Sequence, residues 1–580
     1  MTTFFEVHER DGAARIGELR LTEPLTTPAL CDEVVADAGS LWSTERDAPE
    51  GDPGELTVLP HRAAPAGTPE EVETAFDTDP TDVDGPSAAV VSTHTASDRG
   101  TDAYVLSDAP GLVGHARAFV EGIVGVKDAT PADTALYCSG VATPANAALL
   151  AYAGVDLLDT TRAEVKGTEG KYLTREGEHF LEDLTELPCA CPACRGPRDE
   201  FDRADCAAHN VNALRAELGV VRERIRRGRL RDYLEGQARH AAWLTAAFRR
   251  LDQQYAYLEE RTPVIRRADL LAASEESLRR VEIQRFADRV TTRYENRFSN
   301  PLVLVPCSAT KPYSESQSHG QFHDATQFRA HTVSMTSPIG VVPQELETTY
   351  PAQHYDSVVT GEWTAGEVEF VASVLEAYLA RNDYPRVIAH VPDDYRQITE
   401  KVEESLNTEF EYTVEAHPTT ADSLANLAST LEGEPKFGKR EREHNTVRAL
   451  ADYQFGAGAG DALFGEITTE GRYPKLRVSE DDHLATMVPQ YGVLALTLAG
   501  GRRWVESEVE TRTVEIDGFV PHGSVLAPGI VDASDAIRVG DEVVVSGPKA
   551  FAVGRAEMSG PEMAESTRGI AVEVRHVEER

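Results

Sequence analysis

The sequence predicts a multidomain protein that combines α/β domains with β-rich domains. Its 580 residues exceed the size of one ordinary domain and suit about three or four. Short apolar strands alternate with helices from Ala88 onward, and this alternation predicts a parallel sheet. Towards the C-terminus, short strands are separated by glycine turns, which is typical of small β-rich domains. Hydrophobic residues make up 41% of the chain, which is enough to form folded cores.

The composition also indicates where in the cell the protein is located and how much salt surrounds it. No run of about 18 apolar residues occurs, and residues 1–15 lack the order of a secretory signal, so we expect a cytoplasmic protein with no membrane partner. Asp and Glu number 97 against 57 Lys and Arg, and only nine of the basic residues are Lys. This acidic, lysine-poor composition suits the high-salt cytoplasm of a halophile, where charges are screened within about 3 Å at molar ionic strength. The net charge of −40 therefore does not exclude nucleic acid as a partner.

Four domains are expected along the chain. The stretch 47–85 is rich in Pro, Gly and acidic residues, and we interpret it as an exposed insertion in the first domain. Strands and helices then alternate to about residue 253, and a barrel is one way to close such a sheet. A second α/β unit begins near Phe298, where PLVLVPC predicts a buried parallel strand. Further on, Thr364-Ala-Gly-Glu367 is a capping box that predicts a helix start. The expected boundaries are 1–270, 271–425, 426–505 and 506–580, the third domain being a small α+β domain.

A cluster of cysteines predicts a metal site. Clustered thiols in a cytoplasmic chain indicate metal binding rather than disulfides. Cys189, Cys191 and Cys194, followed by His209, offer three thiolates and an imidazole that can complete a tetrahedron around Zn²⁺. A filled tetrahedron leaves no position for water, so the zinc would be structural. Cys206 is an alternative fourth ligand, and a set of free thiols is the alternative for the whole cluster.

A run of arginines follows this cluster. Six arginines occur within ten residues of a strongly acidic chain. A phosphate-binding surface is one interpretation, and a solvated helix face is the other. The candidate RNA-binding residues of the run are Arg222, Arg224, Arg226, Arg227 and Arg229.

The first half of the chain resembles the archaeal tRNA-guanine transglycosylases. The likeness rests on the stretch Thr143–Thr160, on CACPAC, and on His209-Asn210 leading into a helix. It implies a degenerate TIM-type (β/α)₈ barrel with a Cys₃His zinc site, which favours His209 over Cys206. It also places Asp159 where the family has its nucleophile, with a structural acid at a strand end as the alternative. The family's Asp-Ser-Gly-Gly base-recognition motif is absent, so the barrel is expected to hold tRNA without exchanging a base.

The densest group of reactive side chains is the central motif PCSATKPYSESQSH, residues 306–319. Cys307 follows the apolar strand directly, at the carboxyl end where open α/β sheets bind ligands. The motif offers a nucleophilic thiol, an ammonium, a phenol, hydroxyls and an imidazole. The alternative is a buried cysteine and a solvent-facing lysine in an irregular loop.

The central motif resembles the signature of the archaeosine synthases, and this likeness covers nearly the whole chain. The resemblance implies that the substrate is tRNA carrying the nitrile base 7-cyano-7-deazaguanine (preQ0) at D-loop position 15. An amine nitrogen from glutamine or lysine is then added to the nitrile, which leads to the amidine archaeosine. The matching positions are Pro306, Cys307, Lys311, Pro312, Tyr313, Ser316 and His319.

The residues of the motif suggest a mechanism. As a hypothesis, Cys307 attacks the nitrile to give a thioimidate, which the amine then displaces. Lys311 would stabilise the thiolate or orient the donor, His319 or Tyr313 would protonate the nitrile nitrogen, and Ser316 belongs to the same candidate set. Alternatively, the donor amine attacks directly and Cys307 only packs.

Residues 523–576 resemble a PUA domain, a small β-barrel found in RNA-modifying enzymes. The resemblance implies that Lys549, Arg555 and Arg568 contact RNA phosphates. A generic barrel with a structural role is the alternative. The preceding stretch 455–506 resembles the domain that joins barrel and PUA domain in archaeal transglycosylases.

Three functional classes compete: an enzyme that forms an amidine on a tRNA nitrile, a transglycosylase that inserts preQ0, and a non-catalytic tRNA-binding protein. The missing base-recognition motif disfavours the second class, and the intact motif around Cys307 disfavours the third. If the donor is added whole, a partner must cleave the adduct, since the chain lacks the CxxxCxxC signature of radical-SAM enzymes. The transglycosylase likeness favours a homodimer. Polar residues of the stretch 343–356 are further pocket candidates.

Overall fold

The computed structural model describes residues 2–47, 49–79 and 83–580, and the chain divides into two compact units. The first unit runs to Pro263 and includes Val525–Arg538 and Met558–Ala571. The second unit comprises Val264–Ser524, Val539–Glu557 and Val572–Arg580. This division is coarser than the four expected domains, whose boundaries stay a prediction.

The first unit begins with short strands and continues with helices that surround a parallel sheet. Its strands are β1 (Phe5–Asp11), β2 (Ala14–Leu19), β3 (Leu25–Thr27), β4 (Ala29–Leu30), β5 (Val35–Asp37), β6 (Leu56–Val58), β7 (Ser87–Val91), β8 (Ala103–Leu106), β9 (Ala135–Cys138), β10 (Leu157–Leu158), β11 (Lys171–Thr174) and β12 (Gly177–Phe180). Its helices are α1 (Glu70–Phe76), α2 (Ala109–Leu112), α3 (Ala116–Ala129), α4 (Ala147–Tyr152), α5 (Thr161–Thr168), α6 (Arg203–Arg226), α7 (Leu230–Gln237), α8 (Ala242–Asp252) and α9 (Tyr255–Arg261).

Seven of these strands form one parallel sheet, in the order β4-β10-β9-β8-β7-β6-β5. β4 pairs with β10 at one edge and β5 pairs with β6 at the other, yet only residues 31–34 separate β4 from β5. Since the five residue steps from the end of β4 to the start of β5 span at most about 18 Å, the sheet curls until its two edges approach each other. The (β/α)₈ prediction is therefore met only in part: the described residues form a curled sheet of seven strands, and the β7–β8 connection, 92–102, contains no helix.

The prediction that 47–85 is an exposed insertion was wrong. This stretch supplies β6 and α1, and all three side chains of β6 are buried. β6 lies inside the curled sheet because it pairs with both β5 and β7. Its short Leu-Thr-Val run is surrounded by Pro, Gly and acidic residues, which masked the strand signal. Residues 48 and 80–82 of this stretch lie outside the described residues.

The second unit combines a mixed central sheet with a β-meander. Its strands up to residue 516 are β13 (Leu270–Ala272), β14 (Leu302–Pro306), β15 (His331–Thr336), β16 (Gly340–Pro343), β17 (Tyr355–Ser357), β18 (Val387–Ala389), β19 (Glu411–Tyr412), β20 (Thr468–Arg472), β21 (Lys475–Ser479), β22 (His483–Val488), β23 (Val493–Leu496) and β24 (Thr513–Ile516). Its helices are α10 (Val281–Thr292), α11 (Gln317–Thr326), α12 (Ala365–Arg381), α13 (Asp393–Leu406), α14 (Ala421–Thr430), α15 (Lys439–Phe455), α16 (Ala459–Phe464) and α17 (Leu498–Glu506).

The C-terminal region adds short strands, in keeping with the predicted β-rich end of the chain. Its elements are β25 (Ser524–Leu526), β26 (Ile530–Ala533), β27 (Glu542–Gly547), β28 (Ala550–Ala556), α18 (Gly560–Glu565) and β29 (Ile570–Glu579). Within the second unit, β27 pairs with β24 and β28, and β28 pairs with β29. β20 to β23 form an antiparallel meander in sequence order.

The central sheet of the second unit has the strand order β16-β15-β14-β18-β19. β14 is parallel to both of its neighbours, β15 and β18. The chain passes from β14 to β15 on one side and later reaches β18 on the other side, so the direction of winding reverses at β14. In open α/β sheets such a reversal opens a crevice at the carboxyl ends of the strands, where ligands bind. The residues directly after β14 lie at this position.

Helix α12 packs on this sheet. The Thr364 hydroxyl accepts a hydrogen bond from the Glu367 N–H, and the Glu367 carboxylate accepts one from the Thr364 N–H, so the predicted helix start is confirmed. Val371 and Leu375 of α12 are fully buried in the same core as Leu304 of β14. Burying each such side chain contributes about 1.5–3 kcal/mol. No helix in the described part of the chain has the length and apolar character that a membrane span requires.

Candidate active site and metal centre

Three adjacent parallel strands bring polar side chains to one edge of the central sheet. Cys307 follows β14 directly, Thr336 ends β15, and Tyr395 lies in the first turn of α13, which follows β18. Because the carboxyl ends of parallel strands meet at one edge, residues from three separate segments converge there. We define this group as the candidate active site.

The Cys307 sulfur lies 3.5 Å from the Tyr395 hydroxyl oxygen. Burial raises the pKa of Tyr395, and the neighbouring Cys307 raises it further, so the phenol retains its proton. Trp363 packs edge-on against Tyr395, with ring centroids 4.7 Å apart. The Trp363 ring N–H donates to the Asp394 carboxylate at 3.3 Å. These contacts hold a proton donor beside the half-buried thiol.

Lys311 lies over an aromatic ring at the same site. Its ammonium nitrogen is 3.9 Å from the centroid of the Tyr355 ring. Partial burial lowers the pKa of Lys311, and electrostatic attraction to Cys307 acts in the opposite direction. The Tyr355 hydroxyl is 2.6 Å from the Tyr313 hydroxyl and 2.7 Å from the Thr336 hydroxyl. This chain of hydroxyl groups fixes the ring that supports the ammonium.

Ser316 and His319 position the loop that carries Cys307. The Ser316 hydroxyl caps α11 by accepting from the His319 N–H at 3.2 Å. The His319 Nε2–H donates to the Pro306 carbonyl, directly before Cys307, at 3.0 Å. Burial lowers the pKa of His319 to about 4, so its ring is neutral near pH 7. The geometry therefore favours a positioning role for His319 over protonation of a substrate.

Tyr313 and His319 also form one wall of a cavity of about 100 Å³. Glu347 lines this cavity and accepts hydrogen bonds from the Ser314 N–H at 2.8 Å and from the Tyr473 hydroxyl at 3.1 Å. Burial raises the pKa of Glu347, and these two donors act in the opposite direction. The cavity therefore shares its wall with the central motif and contains a buried carboxyl group.

Helix α15 supplies charged residues to the same cavity. Glu443 is 5% exposed, and one of its oxygens accepts from the Thr469 hydroxyl at 2.9 Å. The other oxygen accepts no hydrogen bond from the residues that the structure describes and lies 3.6 Å from the ammonium of the exposed Lys439. Arg442 lines the cavity and acts electrostatically on Glu347. Two carboxyl groups and one guanidinium thus face one space.

A second candidate site, in the first unit, is formed by Cys189, Cys191, Cys194 and His209. One donor atom of each residue lies within 4.8 Å of the others, so the set could hold a metal ion. The His209 Nδ1 is 3.3 Å from the Cys194 sulfur. The His209 Nε2–H donates to the Leu173 carbonyl at 2.9 Å, which leaves Nδ1 available as a ligand. Cys206 is outside the group, so the geometry favours His209 over Cys206.

Helix α6 brings His209 to the three thiols. Asp202 caps this helix by accepting from two backbone N–H groups of its first turn. Gly167 of α5 lies against α6, and a Cβ there would be 2.3 Å from the Ala207 Cα, so only glycine permits this approach. The Tyr172 ring stacks on the His209 ring at a centroid distance of 3.7 Å. The ligand is therefore held by helix packing and by an aromatic neighbour.

Asp159 follows β10 and is 3% exposed. Its carboxylate accepts hydrogen bonds from the Tyr137 hydroxyl at 3.0 Å, from the Ser139 hydroxyl, and from the N–H groups of Gly140 and Thr161. A nucleophilic carboxylate needs an oxygen that faces the substrate, whereas both oxygens here are engaged in holding loops. This geometry favours the structural alternative over a catalytic role for Asp159.

Arg222 and Arg226, together with Arg215, line a groove of about 650 Å³. Their spacing along α6 places all three on one face of the helix. The Arg222 guanidinium also donates to the Pro28 carbonyl at 2.6 Å. Burial lowers the pKa of Arg222, and the neighbouring Arg226 lowers it further. The sequence analysis did not single out Arg215, which lies seven residues before Arg222.

The other arginines of the predicted run have partners elsewhere. Arg224 packs over the Tyr233 ring at 5.3 Å. Arg227 pairs with Glu223 at 2.7 Å, and Arg229 pairs at 2.9 Å with the carboxylate three residues further on. The structure therefore does not assemble the five predicted arginines into one surface.

The basic residues of the C-terminal region are also separated. Lys549 is exposed in the turn between β27 and β28, and Arg555 lies near the opposite end of β28. Six residues of strand separate them by about 20 Å. Arg555 packs over the Tyr491 ring at 5.6 Å, and Arg568 is half-buried between α18 and β29. Their contact with RNA stays a prediction.

Family models match four parts of the chain. The matches are Queuine tRNA-ribosyltransferase over 88–242, a domain of unknown function over 283–431, the patch-forming domain C2 of tRNA-guanine transglycosylase over 445–509, and the PUA domain over 517–577. The predicted PUA and transglycosylase-type domains are confirmed. The candidate active site lies in the domain of unknown function.

An archaeosine synthase from Haloferax volcanii is 66% identical over 100% of this chain and 100% of its own length. The chain belongs to the archaeosine synthase family. An archaeosine synthase subunit alpha from Methanosarcina acetivorans is 42% identical over 100% of both chains. A tRNA-guanine(15) transglycosylase from Methanobrevibacter smithii is 26% identical over 80% of this chain and 69% of its own length. Membership of the archaeosine synthase family confirms the expected role in tRNA modification and archaeosine biosynthesis.

Sequence reasoning missed Tyr395 and Trp363. Tyr395 lies in the charged stretch PDDYRQ, which has no recognisable motif, and Trp363 directly precedes the capping box of Thr364 and Glu367, which indicated only a helix start. The available signal was position, because Tyr395 follows the apolar strand RVIAHVP and the carboxyl ends of parallel strands share one edge with Cys307. Tyr355, by contrast, lies within the predicted pocket stretch 343–356.

Proposed function

We propose that the chain adds an amine to the nitrile of tRNA-bound preQ0, with Cys307 as the nucleophile. The observation that carries the proposal is the distance of 3.5 Å between the Cys307 sulfur and the Tyr395 hydroxyl at the crevice of the central sheet. Addition to a nitrile requires a nucleophile and a proton donor, and these two groups supply both. The name of the relative that is 66% identical, archaeosine synthase, supports the product.

The proposed reaction has two steps. The Cys307 thiolate forms a bond to the nitrile carbon, one carbon–nitrogen π bond breaks, and the nitrogen takes the Tyr395 proton to give a thioimidate. The donor amine then forms a bond to the same carbon, the carbon–sulfur bond breaks, and the thiolate leaves. An amine proton returns to Tyr395, so the protons balance and the product is an amidine.

The remaining residues of the motif support this chemistry. Lys311 is attracted electrostatically to Cys307, and we assign it to stabilising the thiolate. His319 holds the Pro306 carbonyl, so we assign it to positioning the nucleophile. Ser316 caps the helix that carries His319. The four hydrogen-bond donors around Asp159 disfavour base exchange by transglycosylation, and we assign Asp159 no part in the reaction.

The cavity beside Tyr313 suits the amine donor. Its two carboxyl groups, Glu347 and Glu443, and its one guanidinium, Arg442, complement two ammonium groups and one carboxylate when Glu443 exchanges the exposed Lys439 ammonium, 3.6 Å away, for a donor ammonium. His323 also lines the cavity, and burial lowers its pKa, so it adds no charge at neutral pH. The excess of carboxyl groups over positive groups in the cavity favours a diamino acid such as lysine over glutamine.

Addition of a whole diamino acid would require a second protein. The adduct would keep the donor's carbon skeleton, so a carbon–nitrogen bond must break before archaeosine is formed. Three relatives are each named archaeosine synthase subunit alpha, which supports a second subunit. A radical-SAM partner suits the cleavage of an unactivated bond. A cytoplasmic location and a homodimer complete the proposal.

The zinc site would stabilise the first unit, and the groove lined by Arg215, Arg222 and Arg226 would attract tRNA. Three thiolates and one imidazole are a donor set that suits Zn²⁺, and four protein ligands leave no open position, so the ion would be structural. It would join the segment 189–194 to α6. Arg215, Arg222 and Arg226 would contact tRNA phosphates, together with Lys549 and Arg568.

The test is to incubate preQ0-containing tRNA with lysine or glutamine and to weigh the released nucleoside. With lysine, the nucleoside should gain the mass of the whole amino acid, and Cys307→Ala should abolish the gain. Ser308→Ala, which changes the neighbouring half-buried residue, is the matched control and should retain activity. No mass gain with either donor, or full activity in Cys307→Ala, would refute the proposal.

A second experiment tests whether the cavity binds the amine donor. Arg442→Met should raise the KM for lysine at least tenfold, because the donor carboxylate loses its partner. Arg440→Met removes an exposed arginine two residues away on the same helix and should leave the KM unchanged. Equal effects of the two substitutions would show that the cavity is not the donor site.

A further inference from the structure

Phe328 presents an exposed aromatic ring just after helix α11. Its side chain is 43% exposed, and its backbone φ of 63° lies in the left-handed region. Gln327, directly before it, has a φ of 50°. Bulky side chains rarely adopt this conformation, and residues that do so are concentrated at functional sites. The protein therefore holds a phenyl ring at its surface in a conformation that the backbone alone does not favour.

Two loop segments are tied together at this ring. The side-chain amide of the buried Asn300 donates to the Arg329 carbonyl at 3.1 Å and to the Pro435 carbonyl at 2.7 Å. The Phe437 N–H donates to the Phe328 carbonyl at 3.0 Å, and the two phenyl rings pack edge-on with centroids 5.8 Å apart. These contacts fix the loop after α11 against the segment before α15.

Two cationic side chains meet beside the ring. The Lys436 ammonium donates to the Gln327 side-chain oxygen at 3.1 Å, and the Arg329 guanidinium donates to the same oxygen at 3.2 Å. A second guanidinium N–H of Arg329 donates to a backbone carbonyl at 3.2 Å. Among the residues that the structure describes, neither cation has a carboxylate partner within 4.0 Å. We call Phe328, Arg329 and Lys436 the Phe328 platform.

The acidic residues near these segments do not neutralise the two cations. The Glu434 carboxylate pairs with Arg386 at 2.8 Å, and the Glu441 carboxylate completes the capping box of α15. In the described part of the chain, the exposed Asp324 and Glu432 pair with neither cation. In a protein with a net charge of −40, the platform is therefore a local positive site that suits an anion.

We propose that the Phe328 platform binds an unpaired nucleotide of the tRNA, with its base stacked on the ring and its phosphate held by Arg329 and Lys436. The proposal rests on the proposed function for its substrate, tRNA. Proteins bind single-stranded nucleic acid by this combination, because an aromatic ring stacks on any base and cations contact the backbone. A base inside a duplex has no free face, so the ring favours an unpaired nucleotide.

The position of the platform suits a nucleotide near the target base. Helix α11 begins within the central motif, and its 10 residues span about 15 Å, so the platform lies about one helix length from the motif. The Arg442 guanidinium, 5.4 Å from the centroid of the Phe328 ring, also lines the cavity beside the motif. A free mononucleotide is a poorer occupant, because one ring and two cations do not enclose a small ligand.

The experiment measures tRNA binding by the full chain at several KCl concentrations. Phe328→Leu keeps an apolar side chain but removes the aromatic face, so it should weaken binding about fivefold or more without changing the slope of log affinity against log salt. Lys436→Met should reduce this slope by about 0.7, the value for one phosphate contact on a single strand. Phe328→Trp retains an aromatic face and should bind tRNA as the wild-type chain does.

Phe180→Leu is the matched control. Phe180 is 54% exposed, and the Lys171 ammonium lies 4.9 Å from the centroid of its ring. This cation is paired with Glu178 at 2.6 Å, so the ring lacks an unpaired charge beside it. The affinity for tRNA and the salt slope should both stay unchanged in this variant.

The outcomes separate this proposal from the proposed function. Wild-type affinity in Phe328→Leu, or an unchanged slope in Lys436→Met, would overturn the platform and leave the chemistry at Cys307 intact. Equal losses in Phe328→Leu and Phe328→Trp would also overturn it, since the ring would then serve only packing. Weaker tRNA binding in Phe328→Leu, with full affinity in Phe328→Trp and no amidine formation by the wild-type chain, would support the platform and refute the chemistry.

Two further measurements test the other occupants. Adenosine monophosphate that binds the wild-type chain but not Phe328→Leu, while both bind tRNA equally, would assign the platform to a free nucleotide and overturn the proposal. A change of oligomeric state in Phe328→Leu would show that the ring contacts a second copy of the chain, which would overturn the proposal as well.

Discussion

The hydroxyl oxygen of Tyr395 lies 3.5 Å from the sulfur of Cys307, although the two residues are 88 positions apart in the chain. They meet because β14 and β18 are adjacent parallel strands that end at the same edge. Burial keeps the phenol protonated by raising the pKa of Tyr395. The pair thus presents a thiol and a fixed proton donor to one point in the crevice.

Replacing Tyr395 with Phe should slow nitrile addition about 10²-fold, because general-acid groups contribute about 10²–10⁴-fold. The single-turnover rate of thioimidate formation measures this effect, and tRNA affinity should not change. Tyr412→Phe is the control, since the Tyr412 hydroxyl donates to the Glu403 carboxylate at 2.6 Å and lies 3.0 Å from the Thr399 hydroxyl. A wild-type rate in Tyr395→Phe would exclude the phenol as the proton donor.

His319 should make the folded protein less stable in acid. Its pKa is lowered from 6.5 to about 4 in the folded state, so the unfolded chain binds more protons between these pH values and stability rises with pH through that window. The full shift corresponds to about 3 kcal/mol. His319→Gln should reduce the stability difference between pH 4.5 and pH 7 by up to about this amount, as measured by denaturant unfolding. An unchanged difference would contradict the assignment of a buried neutral imidazole.

Removal of one predicted zinc ligand should release the metal and destabilise the protein. Cys194→Ser and His209→Ala should each reduce bound zinc from one equivalent towards zero and lower the thermal unfolding midpoint, since structural zinc contributes directly to folding. Cys206→Ser should retain the zinc. Elemental analysis and calorimetry measure both effects. Loss of zinc in Cys206→Ser, with retention in His209→Ala, would reverse the assignment of the fourth ligand.

Arg226 should contribute one phosphate contact to tRNA binding. Arg226→Ala should reduce the slope of log affinity against log salt by about 1, measured by titration at several KCl concentrations. Arg227, which pairs with Glu223 at 2.7 Å, provides the neighbouring control, and Arg227→Ala should leave the slope unchanged. Equal slopes for the two variants would show that the tRNA-binding surface does not include the groove of Arg215, Arg222 and Arg226.

Several features could be predicted because they depend on residues that are close in sequence. The thiols of the candidate metal site lie within six positions, and the capping box of Thr364 and Glu367 within four. Cys307 follows its strand directly, so an apolar run and a parallel-sheet rule were enough to place it at a ligand-binding edge. Strand β6 was missed because it has only three residues. Among Pro, Gly and acidic neighbours, three buried residues are too few to form a recognisable strand pattern of hydrophobicity.

The sequence by itself determined the family, because its motifs are encoded by residue identity at short, fixed spacing, and it predicted the metal ligands and the nucleophile from the same kind of signal. Only the tertiary structure decided that Tyr395 is the partner of Cys307 and that the buried His319 is neutral. It also decided that some arginines of the run line a groove, whereas the others contact neighbouring side chains. The physical reason is that proton affinity and charge pairing depend on burial and on neighbours from distant segments, which the order of strands brings together.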